Sequence, residues 1–181
     1  MLNAIMARRM LVWSVVAVLL GGLGGCAGPK WRDELAGQLP LLGHRNWIVI
    51  ADSAYPAQSR AGIETIATEA DHFEVVEAVL KAVDSAPHVR AKVYLDEELK
   101  YVKVAGVEAY RKRLAELIAG HPTKYVPHEQ LIVKLDEAAK LFNILILKTN
   151  LTIPYTSVFI ELDCGYWDPQ SEQELRRSMK R

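Results

Sequence analysis

The sequence predicts an α/β fold, a three-layer α/β/α arrangement around a mixed, largely parallel sheet. Three observations carry this. Short apolar, β-branched runs recur along the chain, and stretches with apolar residues at helical spacing lie between them. One run, Trp47-Ile48-Val49-Ile50-Ala51, is apolar at every position, as a central strand covered on both faces must be. Strands that alternate with helices are the pattern of an α/β sheet.

The elements follow in order. Trp31–Leu42 carries Leu35, Leu39 and Leu42 and reads as a first helix ending near Gly43, with Pro40 shortening it. Trp47–Ala51 is the central strand, followed by the polar loop Asp52-Ser53-Ala54-Tyr55-Pro56. Gly62–Ala67 is a second strand or extended segment. Asp71–Val83 places Phe73, Val76, Val79, Leu80 and Val83 on one helical stripe. Val89–Leu95 alternates and is β-branched, so it reads as a strand. Val107–Ala119 is a charged amphipathic helix stopped by Gly120-His121-Pro122. Lys124–Val126 is a short strand, after which Pro127 sits where a proline opens a helix running to about Leu141. Asn143–Leu147 and Ser157–Leu162 are two more apolar strands. The segment from Asp168 to Arg181 is charged and lacks apolar periodicity, so it reads as a frayed tail.

The N-terminus is organised differently. Arg8-Arg9 precede an apolar run from Met10 to Leu20, and Leu23-Gly24-Gly25-Cys26 follows. A positive n-region, a short apolar core and small residues before a cysteine are the parts of a lipoprotein signal. The expectation is cleavage after residue 25, lipid on Cys26, a tether over 26–30 and a domain over 31–167 on the periplasmic or surface side of a bacterial envelope. The alternative is an uncleaved membrane anchor, but Met10–Gly25 is 16 residues long, short of the roughly 20 a spanning helix needs.

Charge and cysteine content exclude several classes. The chain has 22 Lys+Arg and 22 Asp+Glu. Removing residues 1–25 takes Arg8 and Arg9 away and leaves a net charge of −2. No basic field for nucleic acid remains. Cys164 is the only other cysteine, so with Cys26 lipidated no intrachain disulfide forms. His44, His72, His88, His121 and His128 form no HExxH or i,i+4 pair, and no metal or cofactor motif accompanies them.

Ligands of open α/β sheets collect beyond the carboxyl ends of strands. Near strand ends or turns the chain carries Gly43-His44, Asp52, Pro127-His128-Glu129 and Pro154-Tyr155-Thr156-Ser157. Each has a plainer explanation. His44 can cap a helix, Asp52 can close an Asx-turn, His128 can be a surface residue and Tyr155 can simply pack.

Their order and spacing add more. Leu42-Gly43-His44 through Asp52-Ser53-Ala54-Tyr55-Pro56, then Lys124-Tyr125-Val126-Pro127-His128-Glu129-Gln130-Leu131, then Pro154-Tyr155-Thr156-Ser157-Val158-Phe159-Ile160 resemble, in that order, the ribose pyranase and fucose mutarotase family. The resemblance spans residues ~31–167. It implies rings, often decamers, with sites near subunit boundaries, and interconversion of ring forms or anomers of a free monosaccharide without cofactor or metal. By the same resemblance His44 is the acid–base residue, while Asp52, His128 and Tyr155-Thr156-Ser157 hold sugar hydroxyls. The chemistry suits the residue types. Opening a hemiacetal needs a proton delivered to the ring oxygen and one removed from the anomeric hydroxyl, and an imidazole does both near neutral pH. Two departures stand out: Ser157 replaces the family's Asn, and Thr149-Asn150-Leu151-Thr152 replaces an acidic Gly-Glu. They favour the alternative of a non-catalytic envelope lipoprotein that binds a sugar or other polar ligand.

Overall fold

The computed structural model describes residues 30–180. The proposed signal and Cys26 lie outside the described residues. Six strands form one sheet in the order β2-β5-β1-β6-β3-β4. They are β1 (Trp47–Ala51), β2 (Ile63–Ala67), β3 (Val89–Asp96), β4 (Thr123–Val126), β5 (Ile144–Lys148) and β6 (Val158–Cys164). The helices are α1 (Lys30–Gln38), α2 (His72–Ser85), α3 (Val107–Ile118), α4 (His128–Ala138) and α5 (Pro169–Ser178).

β1, β2 and β5 pair in parallel, as do β3 and β4. β6 runs antiparallel between β1 and β3, with Ile50 opposite Val158 and Val158 opposite Leu95. The sheet is therefore mixed and largely parallel, as the sequence predicts. The fully apolar run of β1 is buried at all five positions, and β5 is its equally apolar parallel neighbour.

The two faces are covered unequally. On one face α1, α2 and α3 pack with Ile48, Ile50, Val93, Leu95, Leu145, Leu147 and Ile160. The stripe Val75-Val76-Val79-Leu80-Val83 of α2 recurs at helical spacing because one side must meet the sheet. On the other face α4 presents Leu131 and Leu135, one turn apart, to Val49, Ile146 and Phe159. Beyond α4, β3 and β6 turn Arg90, Lys92, Glu161 and Asp163 to that second face, with Arg90 and Lys92 about 40 % exposed.

Local chemistry sets the boundaries. Asp71 caps α2 by accepting from Phe73 N–H at 3.0 Å and Glu74 N–H at 3.2 Å. Pro40 ends the first helix at Gln38, and a 3-10 turn over Leu39–Leu41 follows. Pro127 is the N-cap of α4 rather than its first helical residue, and α4 stops at Ala138.

The C-terminal segment departs from expectation, since residues 169–178 are helical. Asp168 accepts from Ser171 N–H at 2.7 Å, Pro169 opens the first turn, and Glu172–Arg176 pairs along the outer face. No residue of α5 is buried. Caps and ion pairs, not an apolar stripe, define it.

Gly165 ends β6 where the chain passes β3 closely. A Cβ there would lie 2.5 Å from Pro87 O and 2.8 Å from Val89 N, both backbone atoms that cannot swing aside. Gly120 has nothing within 4 Å. Gly165→Ala is expected to destabilise the fold by about 1–3 kcal/mol, against a far smaller change for Gly120→Ala. Urea denaturation of the two variants makes the comparison.

Candidate active site

Because β6 is antiparallel to its neighbours, its amino end meets the carboxyl ends of β1, β3, β4 and β5. Five of the six sequence-derived site residues gather there: Asp52 after β1, His128 after β4, and Tyr155, Thr156 and Ser157 before β6. Ser157 Oγ donates to Asp52 Oδ2 at 3.1 Å, and Ala54 N–H donates to Asp52 Oδ1 at 2.9 Å. Asp52 thus closes an Asx-turn and also faces a serine from the opposing strand. Tyr155 sits edge-on to the His128 ring, with centroids 5.5 Å apart, on left-handed backbone at φ +58°. A non-glycine residue held in that region marks a position fixed by its surroundings.

The sequence reading missed Asp96. It is the last residue of β3, is fully buried, and lies beside His128, with Oδ1 3.0 Å from His128 Nδ1. Its second oxygen, Oδ2, is buried with no hydrogen-bond partner among the described residues. Burial raises the Asp96 carboxyl to about 6 despite His128, with Glu98 and Asp52 adding to the rise. Glu98, also missed, accepts the His128 backbone N–H on both oxygens at 3.1 and 3.0 Å, anchoring the first residue of α4. With Asp96 ionised, His128 Nδ1–H donates to it and Nε2 keeps a free lone pair. This is how a carboxylate orients a basic imidazole. Tyr55 is buried close by and accepts from Gln58 at 3.2 Å. Burial first, then Asp96, Asp136 and Asp52, push its hydroxyl well above the usual phenol range.

Beneath these residues lies a second layer. His72 stands between Thr149 and Tyr110, and Tyr110 donates to the Thr156 carbonyl at 2.7 Å.

His44 lies elsewhere. It precedes β1, whereas Asp52 follows it, and a five-residue strand separates its ends by roughly 15 Å. At that far end His44 Nδ1 is 3.0 Å from Asp163 Oδ1, with the histidine half-exposed and the carboxylate buried. Arg90 and Lys92 each bond Asp163 Oδ2 at 2.9 Å. Burial raises the Asp163 carboxyl, but Lys92, Arg90 and the Cys164 N–H outweigh it and hold the group well below the carboxylate range. A cavity of about 590 Å³ opens here, lined by His44, Asp163, Tyr166 and Trp167 among others. The helix-capping explanation for His44 gives way to an Asp163 pair.

Asp–His pairs therefore stand at both ends of the sheet, Asp96–His128 at one and Asp163–His44 at the other, while a third among the described residues, His121–Asp84 at 3.0 Å, ties the turn before β4 to α2. Asp96–His128 shares its end with Asp52 and Ser157; Asp163–His44 does not.

Comparisons with known proteins bear on this arrangement. The model of the RbsD / FucU transport protein family matches residues 30–164. Among solved structures, Bacillus subtilis RbsD complexed with D-ribose is 24 % identical with a TM-score of 0.53, covering 75 % of this chain and 93 % of its own. The fucose mutarotase from Streptococcus pneumoniae in complex with L-fucose is 17 % identical with a TM-score of 0.50, covering 75 % and 93 %. At these identities the likeness is one of fold. Comparison with curated proteins found no match.

The raised Asp96 carboxyl gives a pH prediction. In the unfolded chain Asp96 ionises near its ordinary 3.8, but in the fold only near 6. Below pH 4 both states hold the proton and no cost arises. Between pH 4 and 6 the unfolded state releases it first, so stability falls as pH rises, by on the order of 2 kcal/mol. Asp96→Asn removes that segment, and thermal denaturation of both proteins across this range measures the difference.

Proposed function

The chain belongs to the RbsD / FucU transport protein family, and on that premise we propose that it interconverts ring forms or anomers of a free monosaccharide. The Asp96–His128 pair carries the reading. A buried carboxylate holds Nδ1 and leaves Nε2 free, beside a serine–aspartate pair suited to sugar hydroxyls. The ligands named for the two solved relatives, D-ribose and L-fucose, supply the substrate class.

Ring opening moves two protons. His128 Nε2 takes the proton of the anomeric hydroxyl. The bond between the anomeric carbon and the ring oxygen breaks, and that oxygen takes a proton from an acid. Closure from the other face, or through another hydroxyl, reverses both transfers, so no net proton is consumed. Asp52, Ser157 and Tyr155 orient hydroxyls.

His44 is the second acid–base group. Its Nδ1 is held by Asp163 and its Nε2 is free for exchange. Since it lies at the other end of β1, it acts in the site of a neighbouring copy. The active assembly is a ring of copies in which each site takes His128 from one chain and His44 from the next. The Cys26 box tethers this ring to an envelope membrane.

Exchange NMR on ribose, fucose, galactose and glucose tests the activity. One sugar is expected to exchange faster with the protein, and His44→Ala or His128→Ala is expected to lower that rate roughly 100-fold or more. Mixing and reassembling the two inactive variants is expected to restore part of the rate, because some sites then receive both histidines. Saturable binding with no acceleration turns the reading to a non-catalytic sugar binder. The tether has its own check: radiolabelled palmitate enters the wild-type chain and is lost in Cys26→Ala.

A further inference from the structure

Beneath the strand ends, a line of hydrogen bonds joins two stretches of backbone through a buried ring. His72 is 1 % exposed at the start of α2. Its Nδ1 lies 3.0 Å from Thr149 Oγ1 and its Nε2 3.1 Å from Tyr110 Oη. Each hydroxyl also reaches a carbonyl: Tyr110 Oη lies 2.7 Å from Thr156 O, and Thr149 Oγ1 lies 2.9 Å from Ala51 O.

These are four contacts. A neutral imidazole and two hydroxyls bring three protons, so one contact goes without. The carbonyls decide which. Ala51 O already receives the Thr149 N–H at 2.9 Å. Thr156 is fully buried, and its carbonyl takes the Tyr110 hydroxyl at 2.7 Å, with the His72 ring also bearing on it. Stripping a buried carbonyl of its donor is costly. Leaving the Thr149 hydroxyl off Ala51 O deprives no group of its last partner. With Tyr110 donating to Thr156, an Nδ1–H ring would set a buried, bare Nε2 against the lone pairs of Tyr110 Oη, so Tyr110 accepts from Nε2–H and Nδ1 accepts from Thr149.

We propose that His72, fixed as the neutral Nε2–H tautomer, forms with Tyr110 and Thr149 a one-way relay that positions the Asp52–Ser157 pair. Each end of the relay is one residue from that pair. Thr149 is bonded to Ala51, which precedes Asp52, and Tyr110 is bonded to Thr156, which precedes Ser157. The Ser157–Asp52 contact at 3.1 Å closes the loop above them. Displacing either end changes the angle at which hydroxyl and carboxylate meet a ligand.

The surroundings of the ring suit a neutral state. Phe73 from its own helix and Tyr110 from α3 pack at centroid distances of 6.2 and 5.7 Å. The charged groups bearing on it are Asp71 on α2 and Asp52 after β1, both favouring a proton. Burial outweighs them and lowers the ring to about 4. His72 is thus no acid or base for the reaction but a positioning residue. That role in catalysis rests on the function proposed above; the relay itself does not.

Long-range proton–nitrogen NMR of the ¹⁵N-histidine-labelled full chain tests it. His72 is expected to show protonated Nε2 and bare Nδ1 at every pH above about 4. Tyr110→Phe removes both the acceptor of Nε2–H and the donor to Thr156. The ring is then expected to switch to Nδ1–H facing Thr149, and the Asp52 and Ser157 amide signals to move. With the sugar found by exchange NMR, Thr149→Val is expected to lower the maximal rate roughly tenfold, while Thr149→Ser, which keeps the hydroxyl, restores it. A wild-type Nδ1–H tautomer, or a Tyr110→Phe variant with unmoved Asp52 and Ser157 amides, overturns the relay. The expected tautomer and shifts in a chain that accelerates no sugar uphold the relay and overturn only the isomerase.

Discussion

The antiparallel passage of β6 between β1 and β3 is the constraint on which the rest depends. Had β6 run parallel, residues 155–157 would enter the sheet at the end where His44 lies, and Asp163 would leave it. Running against its neighbours, it delivers a serine and a tyrosine to the carboxyl ends of β1, β3 and β4, where Asp52, Asp96 and His128 already stand. Its apolar side chains fix this register. Val158 and Ile160 face α1–α3 while Phe159 faces α4. A slip of one residue would reverse all three and turn Ser157 away from Asp52.

The same strands hold charges that a purely structural sheet would not keep. Asp96 is buried with one oxygen unpartnered among the described residues, and its carboxyl is raised by that burial. Well-packed interiors pair their polar groups, and an orphaned one costs stability. Asp163 at the other end is the opposite case: two cations and a backbone N–H satisfy it. The contrast separates the roles of the two carboxylates. Asp163 is a structural anchor that also holds His44. Asp96 keeps an open acceptor beside a histidine, which is what a site needs and a core avoids.

Much of the fold was legible in the sequence because apolar periodicity carried it. β1 was read to its residue limits, and β5 and β6 within one or two residues, since buried strands must be apolar at successive positions. α5 was not legible, because its helix rests on an Asp168 cap and the Glu172–Arg176 pair, and neither leaves a hydrophobic stripe. At the candidate site, Asp52, His128 and Ser157 were singled out by the family resemblance, and their places flanking strands bring them to one end of the sheet. Asp96 was hidden as the last letter of an alternating strand, and His72 sat at the head of a helix whose other buried positions are apolar. Their signals were a charge and an imidazole at positions the pattern makes interior. The separation of His44 from Asp52 was already written in their order, one before and one after an unbroken strand.

That separation has a consequence for how a site on this sheet can work. The proposed reaction needs acid and base on either side of the sugar, yet the rigid strand between His44 and Asp52 forbids one chain from bringing them together without dismantling its most buried element. Bending β1 would expose residues that are 0–3 % accessible, each worth about 1.5–3 kcal/mol of burial. In the proposed ring a second copy supplies the histidine instead, at the cost of association alone. Each chain holds a histidine firmly at both ends of the sheet: Asp96 and Glu98 fix His128, and Asp163, clamped by Arg90 and Lys92, fixes His44.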